Sequence, residues 1–252
     1  MLIPIFALSK NPDFEVFSWN DLDSKVEVTP SSSGRATIWD KDILLFCMSK
    51  IVNDLNDGVV PSRVLSVKGS EILRFCSRGS GGQDYKNLSD ALDRLRGTSI
   101  KTDIKSRDVE FSDDFTLLSR VSKMKIVGNE KSTRIRIELS EWIFTQMLDQ
   151  HYVLTYDPGY FKMTSAIHRR LYEIFRKHCG EQPKFLIRLR KLFFKIGSKG
   201  SLNDFKKVLR KSADYYDEIK GFHSGMVGPY EYRYHESREI IEVRFRRCLR
   251  GE

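Results

Sequence analysis

Cysteine is scarce. The 252-residue chain has four, Cys47, Cys76, Cys179 and Cys248, with no Cys-x-x-Cys pair and no metal-like spacing to histidine. That excludes a disulfide framework and points to a reduced, cytoplasmic protein; Cys47 and Cys76 sit among apolar residues, where free cysteine packs as a small hydrophobe. Long apolar runs are missing too. The N-terminal stretch Leu2 to Leu8 already contains Pro4, far short of the ~18 residues of a membrane span. No basic segment leads into an apolar one, so no secretory leader is expected. The five histidines form no His-x-His pair, which disfavours a metal-dependent nuclease cleaving DNA through tyrosine. Gly79-Ser80-Gly81-Gly82 lacks the following Lys-Ser/Thr of a phosphate-binding loop. His235-Glu236-Ser237-Arg238 has a recombinase-like His-x-x-Arg spacing, but no tyrosine follows it. Tyr215-Tyr216 read as packing residues near a helix end, and His178-Cys179 as a helix-terminal histidine beside a packed thiol. No enzyme activity, metal or cofactor is expected.

What is present is an ordinary core-forming composition, 40% hydrophobic and 31% charged. Residues 1–36 read as an extended lead-in, either packed on the first unit or mobile, ending in Thr29-Pro30-Ser31-Ser32-Ser33-Gly34. Leu44, Cys47, Met48, Ile51 and Leu55 then make one helical stripe. Next come a β-branched run at 64–67, a short helix with Ile72, Leu73 and Cys76, the glycine turn, and a helix carrying Tyr85, Leu88, Leu92 and Leu95. Beyond Gly97 the period changes to two, with a hairpin tip at 127–131. The second half repeats this order. Shifting by 120 residues pairs Cys47, Ile51 and Leu55 with Ile167, Leu171 and Phe175, Ile72, Leu73 and Cys76 with Leu192, Phe193 and Ile196, and Tyr85 and Leu88 with Phe205 and Val208. Helix, strand, helix, turn, helix and β-hairpin is the order of a winged helix. The fold expected is α+β: two tandem winged helices, at 37–150 (with a connecting helix from Ser140) and 151–252.

Acidic residues are outnumbered, 34 against 43 Lys and Arg, a net charge of +9. The excess is local. From Lys184 to Lys211 there are ten basic residues and one acid, Asp204, whereas Glu71 to Lys105 holds seven basic and five acidic. On the helix after Ser201, Leu202, Phe205 and Leu209 form one face, while Asn203, Lys206, Lys207, Arg210 and Lys211 form the other. Those types can read base edges in a major groove. Ser201 is placed to cap the helix near a phosphate, and Arg188, Lys191 and Lys199 to contact the backbone. In the first unit Arg78, Lys86, Asn87, Arg94 and Lys131 are weaker DNA candidates, mixed with acids.

Five stretches taken together resemble the plasmid replication initiator protein A family: Trp39-Asp40-Lys41-Asp42-Ile43-Leu44, Arg78-Gly79-Ser80-Gly81-Gly82-Gln83-Asp84-Tyr85, Ala91-Leu92-Asp93-Arg94-Leu95-Arg96-Gly97-Thr98, Leu139-Ser140-Glu141-Trp142, and His168 through Gly180. Ser80 stands where family members often carry threonine. The resemblance implies binding to direct repeats (iterons) in a plasmid origin, opening of adjacent DNA and recruitment of host replication factors such as the initiator or helicase machinery. It also implies base reading by the second winged helix, with backbone contact and dimerisation through the first. A winged-helix transcriptional repressor is the alternative, and a nicking or priming enzyme a third reading.

Overall fold

The computed structural model describes residues 3–21, 24–105, 110–126, 129–148 and 154–246. It divides into two compact units, Ile5–Val153 and Leu154–Glu252 with Met1–Pro4. Both mix helices with antiparallel sheet.

The first unit opens with β1 (Phe17–Asp21) and β2 (Ser24–Thr29), a hairpin inside the stretch read as a lead-in. That stretch is built into the fold. Val26 and Val28 are fully buried, Ala7 bridges Thr37, and Thr98 Oγ1 accepts from the Ala36 amide at 2.9 Å. Two alternating valines give too short an apolar pattern to announce a strand, because the partner lies far downstream. α1 (Lys41–Asn56) comes next, then β3 (Val64–Lys68), α2 (Gly69–Phe75) and α3 (Gly82–Gly97). Of the predicted inward residues, Leu44, Cys47, Ile51, Ile72, Leu73, Cys76, Leu88, Leu92 and Leu95 are buried, while Met48, Leu55 and Tyr85 are half-buried. Gly97, the last residue of α3, is glycine for a contact reason: a Cβ there would lie 2.4 Å from the Ser31 side chain.

Four strands complete the unit's sheets: β4 (Ser99–Lys105), β5 (Glu110–Thr116), β6 (Leu118–Ile126) and β7 (Asn129–Leu139). They separate into two sheets, β1-β2-β4-β5 and β3-β7-β6. β5 is another strand missing from the sequence reading, since its phenylalanines, Phe111 and Phe115, are four residues apart and the rest is polar. The tip residues 127–128 and the side chain of Lys131 lie outside the described residues; Ile126 pairs with Asn129. α4 (Glu141–Leu148) begins after Ser140, whose Oγ accepts from the Ile143 amide at 3.4 Å.

In the second unit a 3-10 turn at Pro158–Lys162 leads to α5 (Ala166–His178), β8 (Phe185–Arg188), α6 (Leu189–Ile196) and α7 (Leu202–Lys211). Then come β9 (Tyr215–Asp217), β10 (Phe222–Val227), β11 (Tyr230–His235) and β12 (Ile240–Phe245), in one sheet ordered β8-β12-β11-β10-β9. The strand between the first and second helices pairs with the last strand of its unit in both cases, β3 with β7 and β8 with β12. Element order and this pairing therefore repeat at the 120-residue offset, but β10 pairs with β11 whereas β5 and β6 lie in different sheets. Two features differ from the sequence reading. β10 carries no clear strand pattern because Gly225 interrupts it, and Tyr215 and Tyr216 lie on the edge strand β9, 60% and 49% exposed, not packed at a helix end.

Candidate nucleic-acid interface

The geometry of α7 starts beneath it, on α5. Arg170 is buried, and its Nε and Nη2 donate to the Lys195 carbonyl at the end of α6, at 3.2 and 2.9 Å. Its Nη1 pairs with Glu173 at 2.9 Å, and Tyr160 donates to the other Glu173 oxygen at 2.9 Å. A buried ion pair persists when hydrogen bonds satisfy the remaining polar atoms, and this one fixes the end of α6. Gly197 then turns the chain at φ +69, a left-handed cap that glycine adopts without a Cβ penalty. Phe205 and Leu209 bury α7 on the core, with Phe193 5.7 Å from Phe205 between ring centres. At the far end Tyr232 donates to the Leu209 carbonyl at 2.8 Å. So the end of α6 that leads into α7, and the far end of α7 itself, are each tied to other elements of the unit.

Ser201 caps α7 as expected. Its Oγ accepts from the Asp204 amide at 3.1 Å and donates to the Asp204 carboxylate at 2.6 Å. The hydroxyl is therefore taken up by the cap. Hydrogen bonds from Ser201 and Lys207 hold the Asp204 carboxyl below its ordinary range. Asn203, Lys207, Arg210 and Lys211 are exposed, together with Arg188, Lys191 and Lys199. Arg188, Lys191 and Lys211 make no ion pair among the described residues.

Lys206 and Arg210 are not open in the way the sequence predicts. Lys206 pairs with Glu239 at 2.6 Å, and Arg210 with Glu236, both from the turn between β11 and β12. These partners lie 33 and 26 residues away, outside the basic stretch in which Asp204 is the only acid. Each pairing raises the pKa of its cation and lowers that of its carboxyl, the hydrogen bond being the larger cause for all four groups. Alternation of β-strand residues could have signalled the turn; no sequence pattern gives its distance to α7.

In the first unit two of the predicted DNA contacts point inward. Arg94 forks onto Asp40 at 2.7 and 2.8 Å and is 18% exposed. Arg78 donates to the Trp39 carbonyl and lies 3.4 Å from Asp42. Both tie the start of α1 to later elements of the unit, so each of these expected DNA contacts has a structural partner: a buried carboxylate is costly without a cation beside it. Lys86 and Asn87 remain exposed on α3, Asn87 accepting from Gln83 at 2.9 Å. The glycine turn also has a structural reason. Asp84 folds back to accept from the Gly81 amide at 3.0 Å, and a Cβ on Gly79 would meet that carboxylate at 2.5 Å.

The stretches that resemble an initiator family thus supply joints between elements: Asp40 with the half-buried Arg94, the half-buried Arg78, and the buried pair Arg170 and Glu173. The family model described as replication initiator protein A matches residues 1–217. The chain belongs to the replication initiator protein A family. This family member is 33% identical over 214 residues to a protein from Wigglesworthia glossinidia brevipalpis named for replication, covering 82% of this chain and 76% of that protein. Its fold is similar to crystal structures of domains 2 and 3 of RctB. One has a TM-score of 0.68 at 15% identity, covering 95% of this initiator and 94% of that chain; the other has 0.62 at 16%, covering 97% and 95%. Among the described residues of the initiator no group of three or more His, Cys, Asp or Glu is placed to hold a metal ion, and no helix is long and apolar enough to cross a membrane.

Proposed function

We propose that the protein is a sequence-specific, DNA-binding initiator of plasmid replication built on two tandem winged helices, with α7 as the helix that enters the major groove. It binds direct repeats at the origin, promotes opening of the adjacent duplex and brings in host replication factors, without chemistry of its own. The observation that carries this reading is the exposed basic face: Asn203, Lys207, Arg210 and Lys211 on α7, with Arg188, Lys191 and Lys199 beside it, on a helix packed on the core through Phe205 and Leu209 and tied at its end by Tyr232. Family membership supports the replication role. Phosphate contacts supply salt-dependent affinity and base contacts supply selection.

Selection of bound duplexes from a random pool at about 150 mM salt tests it, a range in which weak electrostatic binding is suppressed. A long, non-palindromic consensus, with unwinding beside tandem copies, is expected. A short palindrome without unwinding transfers the assignment to a dimeric repressor. Arg210→Ala is expected to lose about 1–3 kcal/mol at its preferred base, whereas Lys191→Ala weakens all sequences alike and flattens the salt slope by about one unit.

A further inference from the structure

Glu236 and Glu239 stand outside the basic stretch, yet both reach its cations. Glu239 lies 2.6 Å from Lys206 and 3.9 Å from Arg190. Glu236 Oε1 accepts from Arg210 Nε and lies 3.0 Å from His223 Nε2. Glu239 adopts φ +48, a region ordinarily filled by glycine or asparagine, so a long acidic side chain is kept where the backbone disfavours it. Arg210 uses Nε on Glu236, and its two terminal nitrogens make no hydrogen bond among the described residues, which leaves them as a fork for a further acceptor. A guanine edge offers O6 and N7 to such a fork. A phosphate oxygen, by contrast, must compete with carboxylates already in place.

We infer that Glu236 and Glu239 are specificity-determining residues, orienting Arg210 toward a guanine edge and cancelling the pull of Arg210 and Lys206 on phosphate. This rests on α7 being the reading helix. The test compares the full chain with Glu236→Ala, Glu239→Gln, their double variant, Arg210→Ala, and Glu218→Gln, which removes one exposed carboxylate from the β9–β10 connection. Binding is measured on a duplex selected from a random pool and on a scrambled duplex of the same composition, at several salt concentrations.

The double variant is expected to bind the scrambled duplex about tenfold tighter, with a salt slope steeper by about two units. The ratio of selected to scrambled binding falls about tenfold, and the guanine preference relaxes. Glu218→Gln leaves that ratio unchanged. If the double variant keeps the ratio while Arg210→Ala lowers it, the inference is overturned and α7 still reads DNA. If Glu218→Gln lowers the ratio as much, net charge alone is responsible and the inference is overturned. If Arg210→Ala and the double variant both leave the two affinities unchanged, the reading of α7 itself fails.

Discussion

Arginine does two unlike jobs in this chain, and burial separates them. Arg170 and Glu173 are both buried, so deleting the guanidinium strands a carboxylate in the core. Arg170→Ala is expected to cost about 3–5 kcal/mol, read as a fall in the urea midpoint. Arg94→Ala, which strands Asp40, is expected to act in the same direction with a smaller size. Lys86→Ala, on an exposed helix face, should leave the midpoint in place. Loss of DNA binding in the first two variants without loss of stability would contradict these assignments. Sequence alone could not make the division: Arg94 and Lys86 share one helix, and only the arrival of Asp40, 54 residues earlier, turns one of them inward. The cysteines follow the simpler rule. Burial pushes the Cys47 thiol up to about 12, the mark of a packed group, as its apolar neighbours implied.

At the scale of elements, α7 was legible because its two faces are separated at helical spacing: Phe205 and Leu209 inside, Asn203 and Lys207 outside. Of the strands without a sequence signal, β1, β5 and β9 are edge strands with polar or short patterns, β2 owes its place to the distant β4, and β10 to close contacts. β10 shows the second cause. A Cβ on Gly225 would lie 2.6 Å from the Ser212 carbonyl and 2.7 Å from the Tyr232 hydroxyl. The glycine that hides the strand is therefore what lets it approach the end of α7. Gly225→Ala is expected to destabilise the second unit by about 1–3 kcal/mol through overpacking. Tyr232→Phe, which removes the bond to Leu209, should cost about 0.5–1.5 kcal/mol. Thermal unfolding of each variant checks the ordering, the glycine change being the more severe. Equal effects would mean the strand relaxes away from α7.

At the scale of the whole molecule, protonation links stability to pH through two sets of groups. Burial holds His168, His178 and His235 below the ordinary value of 6.5. For such groups the unfolded chain binds more protons, so their contribution is complete above about pH 6.5 and is lost as pH falls toward the folded values. Glu236 and Glu239, held low by Arg210 and Lys206, contribute above the ordinary carboxylate value of 4.5 and are lost as pH falls through their folded values. Stability is therefore expected to decline on acidification in two stages, the histidine stage first. Urea midpoints from about pH 8 to pH 4 check this; a midpoint constant from about pH 7 to pH 5 contradicts the histidine stage.

The strand pairing of the first unit also dictates a timetable. β2 pairs with β4, Val28 opposite Ile100, and β3 pairs with β7, Val64 opposite Glu138. On a ribosome making about 5–20 residues per second, the N-terminal hairpin waits several seconds for its partner strand. β2 gains its partner once β4 is out, but β3 stays unpaired until β7 emerges. β3 is thus made before β4, β5 and β6 yet is among the last strands of this unit to be secured, and the nascent chain's exposure to wrong partners is greatest where its fold is least local.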